Sequence, residues 1–175
     1  MEFNPEVLID ADEIAARVKE LGERISEDYK GQELTIICVL KGGFIFCSDL
    51  VRRLNVPTKI EYIMLSSYGS GKVSSGEPKI ELDITGSVEG KNILIVEDII
   101  DTGNTVNFLE ILLKQRKARS VKLAAMLFKP GKSRYNIKID YLGFEIEDKF
   151  VIGYGLDYAG RYRELPYVGI LNAGH

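Results

Sequence analysis

The chain has 175 residues, a length that predicts a single domain able to bury a sizeable hydrophobic core. Its composition is that of an ordinary globular protein, with 45% hydrophobic and 28% charged residues, and its 17 glycines interrupt the sequence too often for a bundle of long coiled helices. The net charge of −3 and the isoelectric point of about 5.4 lack the general basic footprint of proteins that bind nucleic acid or anionic membranes.

Several kinds of site and location are disfavoured by what the sequence lacks. Cys38 and Cys47 lie in apolar segments, which predicts buried thiols, and no Cys-x-x-Cys pair or Cys/His cluster offers a zinc site. The single histidine is His175 at the chain end, so acid–base chemistry is expected from Asp, Glu, Lys or Tyr. The start MEFNPEVLID lacks the pattern of a signal peptide, and no apolar run has the roughly 18 residues of a membrane span. We therefore expect a cytoplasmic protein.

The first half of the chain predicts helices and strands in alternation. Apolar residues at helical spacing predict an amphipathic helix over 11–30, with Asp10 and Glu13 as a capping box at its start. The apolar stretch LTIICVL predicts a strand over 34–40 that is buried on both faces, and a helix over 44–54 follows the KGG turn. A further strand is predicted over 58–65. Residues 66–79 are rich in Ser and Gly, which is typical of a functional lid or a disordered segment.

The second half continues the alternation. Strands are predicted over 79–84, 92–96, 121–128 and 138–146, and a helix over 104–118, whereas the Tyr- and Gly-rich residues from 147 onward indicate no clear element. This alternation predicts an α/β fold with a mostly parallel sheet and helices on both faces. Ligands bind such sheets at the carboxyl ends of the strands. The candidate site residues are therefore those that follow predicted strands: Lys41, Ser67, Tyr68, Glu97–Asp101 and Lys129.

The stretch ILIVEDIIDTGNTV (93–106) places three carboxylates at the end of an apolar strand. One interpretation is a solvated turn in which Asp101 or Thr102 caps the next helix, but this does not account for Glu97 and Asp98. A P-loop nucleotide hydrolase needs a G-x-x-x-x-G-K-[ST] loop, and the nearest candidate, SSYGSGKV, departs from it at two fixed positions. A phospho-receiver domain also has acids at strand ends, but it gives no reason for the TGNT that follows.

A further interpretation is a site for a ribose 5-phosphate. The turn DTGNT (101–105) enters a helix, so its backbone N–H groups and the positive helix end favour an anion. The hydroxyl groups of Thr102 and Thr105 add donors, and Gly103 allows close approach. Glu97 and Asp98 would accept hydrogen bonds from a vicinal diol and help to hold Mg²⁺.

Residues 93–105 resemble the phosphoribosyl pyrophosphate (PRPP) motif of the type I phosphoribosyltransferases, and VEDIIDTGNT is particularly similar to their hypoxanthine-guanine branch. Further stretches follow in the family's order: LKGG at 40–43, SSYG at 66–69, FKP at 128–130 and DKFVIGYGLDYAGRYREL at 148–165. The resemblance implies a single phosphoribosyltransferase domain over 1–175. Its core would span about 30–145, its hood would come from the N-terminal segment and about 146–175, and a flexible lid loop would close over the reactants.

The resemblance also assigns roles around the ribose. Asp101 would be the general base that takes the N7 proton of the purine as N9 attacks C1′ of PRPP. Glu97 and Asp98 would hold the ribose hydroxyls, directly or through Mg²⁺. The residues implied to bind the 5′-phosphate are Thr102, Gly103, Asn104 and Thr105. Those implied to bind pyrophosphate, with a cis peptide before the first, are Lys41, Gly42, Ser67, Tyr68 and Arg163.

The purine site is implied by the later stretches. Lys129 would donate a hydrogen bond to the purine O6, which would select hypoxanthine and guanine over adenine. Phe150 would stack on the base, and Val151 would offer backbone groups to its edge. Asp157 would complete this site and ligate a second Mg²⁺ that carries pyrophosphate. The implied metal ligands are Glu97, Asp98 and Asp157.

The implied function is purine salvage, in which the 5-phosphoribosyl group of PRPP is transferred to N9 of hypoxanthine or guanine, giving IMP or GMP and pyrophosphate. Two alternatives stay open. One is a PRPP-sensing regulator that binds RNA or DNA, which Asp101 and the acidic charge disfavour; the other is a xanthine-preferring transferase. We expect small-molecule substrates, no nucleic-acid or membrane partner, and a homo-oligomer, since relatives of this kind are commonly dimers or tetramers.

Overall fold

The computed structural model describes residues 5–67 and 78–171 of the chain. The elements in chain order are β1 (Glu6–Ile9), α1 (Ala11–Asp28), β2 (Leu34–Leu40), α2 (Phe44–Val51), β3 (Thr58–Ser67), β4 (Pro78–Leu82), β5 (Asn92–Ile100), α3 (Asn104–Gln115), β6 (Ser120–Phe128), β7 (Tyr141–Glu145), β8 (Val151–Ile152) and β9 (Val168–Ile170). Residues 68–77, which make up most of the predicted lid loop, lie outside the described residues.

The main sheet has six strands in the order β4-β3-β2-β5-β6-β7. Its pairs are parallel except for β4, which runs antiparallel to β3. The chain leaves β2 towards β3 on one side and leaves β5 towards β6 on the other. The predicted α/β fold with a mostly parallel sheet is confirmed, and the reversal of strand order lies between β2 and β5.

The central strands β2 and β5 are buried on both faces, as their uniformly apolar sequences predict. Because side chains alternate along a strand, Ile36 and Val96 pack with α1 and α2 on one face of the sheet. Ile37 and Ile95 pack with α3 on the other face. Both faces are thus filled by core, and the carboxyl ends of the strands are left as the place for a site.

A smaller antiparallel sheet has the order β1-β9-β8. Its strands have four, three and two residues, and none of them was predicted from the sequence. Val151 and Val168 pack this small sheet against the core beside α1. These strands form because segments distant in sequence pair with each other. The local hydrophobic pattern gives no sign of such pairing.

Most predicted boundaries of helices and strands agree with the structure to within a few residues. One boundary next to the candidate site was predicted wrongly. The strand predicted over 92–96 continues to Ile100, because Glu97, Ile99 and Ile100 remain paired with β6. Two predicted local features are confirmed. Asp10 and Glu13 form the capping box of α1, and the two cysteines are free and buried. No helix in the described ranges has the length and apolar content needed to span a membrane.

A polar contact at the opposite end of the sheet from the candidate site links α1 to β7. The buried Tyr141 hydroxyl donates a hydrogen bond to Asp28 Oδ2 at 2.5 Å, and Lys122 Nζ lies 3.4 Å from the same oxygen. The Tyr141 hydrogen bond, assisted by Lys122, holds the pKa of Asp28 below its usual range. The contact therefore stabilises the fold mainly while Asp28 is ionised.

We expect Tyr141→Phe to lower the free energy of unfolding by about 1 kcal/mol near neutral pH, the usual worth of a lost hydrogen bond. Because the pKa of Asp28 is lowered in the folded state, this contribution is complete above the ordinary aspartate pKa of about 3.9 and is lost as the pH falls through the folded-state value. Urea unfolding of both proteins should show the difference shrinking below about pH 4. A difference in the free energy of unfolding that stays constant with pH would show that ionisation of Asp28 is not involved.

Candidate active site

The carboxyl ends of β2 and β5 lie on either side of the reversal in strand order, where α/β sheets bind their ligands. The two strands pair from Leu34 and Asn92 as far as Cys38 and Val96. Beyond Val96, β5 continues alongside β6, while β2 stays paired with β3 as far as Leu40 and then enters the loop before α2. The carboxylates of β5 therefore lie where the two central strands separate.

Glu97 and Asp98 form a buried acidic pair at this point. Glu97 is 6% exposed, and its Oε1 accepts a hydrogen bond from the Asp98 N–H at 3.2 Å. Asp98 Oδ1 accepts one from the Ile99 N–H at 2.7 Å. Burial, reinforced by the charge of Asp98, raises the pKa of Glu97 well above its usual range, and burial also raises the pKa of Asp98. A cation or the hydroxyl groups of a ligand would stabilise their ionised forms.

Asp101 lies in the turn after β5, and one of its carboxylate oxygens receives no hydrogen bond from the described residues. This oxygen, Oδ1, is buried. A buried carboxylate oxygen that lacks a protein donor is costly unless a ligand or solvent supplies one. Asp101 is therefore available to accept a proton from a bound molecule.

The turn from Asp101 to α3 leaves the first amides of the helix available. Gly103 is the N-cap residue with φ +82°, and a side chain there would collide with Ile137. Within the described residues no side chain caps α3. Thr102 Oγ1 lies 3.5 Å from the Asn104 N–H, at the limit of a hydrogen bond. Because the N-cap residue is Gly103, the alternative in which Asp101 or Thr102 is the N-cap is wrong, and apart from this weak contact the turn keeps the donors that an anion requires.

The loop after β2 touches the acidic pair directly. The peptide bond between Leu40 and Lys41 is cis, as the family resemblance implied. A side chain on Gly42 would collide with the Asp98 carboxylate, and the Gly43 N–H donates to the Val39 carbonyl at 3.0 Å. The absence of a side chain at residue 42 thus allows this loop to approach Asp98.

The C-terminal segment reaches the same loop. A side chain on Gly155 would collide with the Gly42 carbonyl. Arg163 Nη1 donates to the Gly155 carbonyl at 2.6 Å, and Arg163 Nη2 forms an ion pair with Asp157 Oδ1 at 3.0 Å. The structure therefore brings Asp157 and Arg163, which lie far along the sequence, next to the loop after β2.

Lys129 occupies the corresponding position after β6, the neighbouring strand. Its N–H donates to the Ile100 carbonyl at 3.0 Å, which places it beside the Asp101 turn. The residue is only 7% exposed, and its ammonium group lies 3.5 Å from Asp148 Oδ1. Lys132 Nζ binds the same oxygen at 2.8 Å. These contacts make a charged cluster of Lys129, Asp148 and Lys132 on the purine side of the predicted site.

Phe150 and Val151 border this cluster in different ways. Phe150 is 53% exposed and meets the ring of Tyr158 edge to face, with 5.9 Å between centroids. The Leu171 N–H donates to the Phe150 carbonyl at 2.9 Å. Because hydrogen-bonded and non-hydrogen-bonded pairs alternate in an antiparallel ladder, the N–H and C=O of Val151 point away from β9 towards the open edge of β8.

The predicted site residues thus fall into two neighbouring groups. The first surrounds Asp98 and contains Lys41, Gly42, Glu97, Asp157 and Arg163, and the second surrounds Asp101 and contains Thr102, Gly103, Asn104, Thr105 and Lys129. Ser67 ends β3 with its backbone paired to Pro78, and its side chain is not among the described parts, while Tyr68 lies outside the described residues. Sequence reasoning did not single out Asp148, Lys132 and Tyr158, although Asp148 opens the quoted DKFV stretch.

The described residues do not form a metal site by themselves. Among residues 5–67 and 78–171, no three side chains of His, Cys, Asp or Glu lie close enough to hold a metal together. The Glu97–Asp98 pair nevertheless has the oxygen donors that Mg²⁺ prefers, and Mg²⁺ is usually held by one or two carboxylates together with substrate phosphates and water. The residues present therefore fit a Mg²⁺ ion that arrives with a phosphorylated ligand.

Comparison with known proteins identifies the family. Residues 8–159 match the phosphoribosyl transferase domain family. The chain belongs to this family. The match extends over all the carboxylates described above, so the phosphoribosyltransferase resemblance inferred from the sequence is confirmed.

Individual relatives agree with this assignment. The chain is 48% identical to a hypoxanthine-guanine phosphoribosyltransferase from Bacillus subtilis, over 94% of this chain and 92% of that protein. It is also 48% identical to a bifunctional TilS/HprT protein from Listeria monocytogenes, but it spans only 26% of that protein's length. A crystal structure of a hypoxanthine-guanine phosphoribosyltransferase from Bacillus anthracis superimposes with a TM-score of 0.91, with 38% identity, over 95% of this chain and 98% of that one.

Proposed function

We propose that this chain is a Mg²⁺-dependent purine-salvage enzyme that transfers the 5-phosphoribosyl group of PRPP to N9 of hypoxanthine or guanine. The products are IMP or GMP and pyrophosphate. The observation that carries the proposal is the position of Asp101 Oδ1, which is buried and receives no hydrogen bond from residues 5–67 and 78–171, between the Glu97–Asp98 pair and the N-terminus of α3. The names of the relatives from Bacillus subtilis and Bacillus anthracis support the choice of purine.

The ribose 5-phosphate is assigned to the end of β5 and the turn that follows. The 5′-phosphate would accept hydrogen bonds from the backbone and side chains of Thr102, Gly103, Asn104 and Thr105 at the positive end of α3. The ribose hydroxyls would donate to Glu97 and Asp98, the buried carboxyl pair at the end of β5.

Pyrophosphate is assigned to the loop after β2 and, as the resemblance implies, to Ser67 and Tyr68, of which Tyr68 lies outside the described residues. Lys41 and the backbone at Gly42 would bind it opposite Asp98, and Arg163 would bind it from the C-terminal segment. Mg²⁺, held by Glu97 and Asp98 and, for a second ion, by Asp157, would neutralise charge on the pyrophosphate leaving group. Because Asp157 is already paired with Arg163, binding there would exchange one partner of Asp157 for another.

The purine is assigned to the space between Asp101 and Lys129. Neutral N9 is a weak nucleophile, and loss of the N7 proton to Asp101 Oδ1 increases its electron density as the bond to C1′ forms. The Lys129 ammonium would donate to O6, on the same edge of the ring as N7. Phe150 would stack on the base, and the outward N–H and C=O of Val151 would meet its remaining edge.

The domain organisation implied by the sequence extends this proposal. The six-stranded sheet supports a catalytic core over about residues 30–145, and the small sheet formed by β1, β8 and β9 supports a hood built from both ends of the chain. We place the enzyme in the cytoplasm and expect a dimer or a tetramer.

The direct test is an assay of nucleotide formation by the purified chain with Mg²⁺, PRPP and one of hypoxanthine, guanine, xanthine or adenine. We expect IMP and GMP to form, and adenine to be used poorly because its 6-amino group presents a donor to Lys129. Failure to form nucleotide from any 6-oxopurine would contradict the proposal and favour a PRPP-sensing protein. A clear preference for xanthine would keep the chemistry and change the substrate.

The Gly42 contact gives a second test. We expect Gly42→Ala to raise the KM for PRPP by about tenfold, since overpacking against Asp98 costs about 1–3 kcal/mol and each 1.4 kcal/mol is tenfold. Gly131→Ala is the matched control, because a side chain at residue 131 has open space around it. Equal KM values for PRPP in the two variants would show that the approach of Gly42 to Asp98 does not matter for binding.

A further inference from the structure

The ammonium group of Lys129 is a buried cation whose position must be fixed by something other than solvent. The residue is 7% exposed, and burying a charge is costly unless a counterion accompanies it. Its counterion is Asp148, with Nζ and Oδ1 separated by 3.5 Å. A distance at the outer limit of a hydrogen bond leaves donors of the ammonium group free for another acceptor.

The backbone brings Asp148 to this position. Asp148 lies in the connection between β7 and β8, and the Ile146 N–H donates to the Phe128 carbonyl at 2.9 Å. Phe128 is the residue before Lys129, so the two chain segments that carry the ion pair are joined by a backbone hydrogen bond. The contact therefore joins a buried lysine to a carboxylate that is 57% exposed but is held beside the lysine by the backbone.

Lys132 sets the balance of charge in this cluster. Its ammonium group lies 2.8 Å from the same Oδ1 atom, and it holds the pKa of Asp148 below its usual range. One carboxylate is thus shared by two cations. Asp148 can orient Lys129 without neutralising it, and the cluster retains a net positive charge towards the Asp101 side of the site.

We propose that Asp148 is a positioning residue that holds Lys129 at the purine and thereby determines selectivity for a 6-oxo group. The inference rests on the proposed function, in which Lys129 donates to O6. Without Asp148, the buried ammonium group loses its counterion and is held less well at O6, so the hydrogen bond to O6 is weakened while Asp101 and the PRPP site remain intact.

Steady-state kinetics of Asp148→Asn tests this inference. We expect the KM for hypoxanthine to rise by about tenfold, as for loss of an interaction with a charged group, while kcat and the KM for PRPP stay within about twofold of the wild type. The ratio of kcat/KM for hypoxanthine to that for adenine should fall by about the same tenfold factor. Asp148→Glu should restore most of the affinity for hypoxanthine, which a purely structural role for the aspartate would not predict.

Glu147→Gln is the matched control, because Glu147 is the neighbouring acid, is exposed and pairs with Lys149 instead. A KM for hypoxanthine in Asp148→Asn that equals or falls below that of Glu147→Gln would overturn the inference. An equal rise in the KM for PRPP would overturn it as well, since it would indicate general damage to the site. Absence of nucleotide formation by the wild-type chain would instead remove the proposed function, and this inference with it.

Discussion

Asp101→Asn should lower kcat by about 10²–10⁴-fold, the usual contribution of a general base. The asparagine side chain has almost the same shape but cannot take the N7 proton from the purine. Because Oδ1 of Asp101 is buried without a donor among the described residues, the substitution removes no protein hydrogen bond from that atom. The thermal stability of the variant should therefore equal or exceed that of the wild type, so that the loss of turnover is chemical.

Asp12→Asn serves as the control for this substitution, because Asp12 is an exposed acid in the first turn of α1. It makes the same change in net charge and should leave kcat within about twofold of the wild type. Near-normal turnover of Asp101→Asn with hypoxanthine would show that another group accepts the proton.

Lys129→Met should lower kcat/KM for hypoxanthine by about 10²-fold, since hydrogen bonds to charged groups contribute about 1.5–3 kcal/mol. Methionine keeps an unbranched side chain in this buried position but offers O6 no donor. Turnover of adenine should change little, because its 6-amino group gains nothing from Lys129. Discrimination between 6-oxo and 6-amino purines, which such a donor can raise to about 10⁴, should therefore fall by the same factor of about 10².

The control for Lys129→Met is Lys138→Met, the same substitution at a highly exposed lysine paired with Asp140. It should leave the kcat/KM values for both purines within about twofold of the wild type. Equal losses of kcat/KM with hypoxanthine and adenine in Lys129→Met would show that the lysine supports the fold of the site and does not discriminate between the bases.

The sequence predicted the core of this fold because local pattern and tertiary environment agree there. The apolar stretches of β2 and β5 are buried on both faces, as their composition indicates. The end of β5 was misjudged because its ladder with β6 continues beneath Glu97 and Asp98, whose polarity ends the apolar pattern. The short strands β8 and β9 depend on pairing between distant segments, so neither has a local signal.

The candidate site was predictable where its residues are contiguous in sequence. The turn from Asp101 to Thr105 supplies carboxylate, glycine and helix start within one motif, and physical reasoning leads from it to a ribose phosphate. The ion pair between Lys129 and Asp148 joins residues that are 19 positions apart. Nothing in the local sequence around either residue predicts that the other will be its partner. Contacts of this kind require the structure.

The separate roles assigned to Asp98 at the end of β5 and Asp101 in the turn after it are tested most directly by the dissociation constant for PRPP. It would be measured by calorimetry with Mg²⁺ for Asp98→Asn and Asp101→Asn. Asp98 is assigned to the ribose and the metal, so its variant should bind PRPP at least about tenfold more weakly than the wild type. Asp101 is assigned to the purine proton, so its variant should bind PRPP within about threefold of the wild type despite its lost turnover. Loss of PRPP binding in Asp101→Asn together with unchanged binding in Asp98→Asn would contradict these assignments.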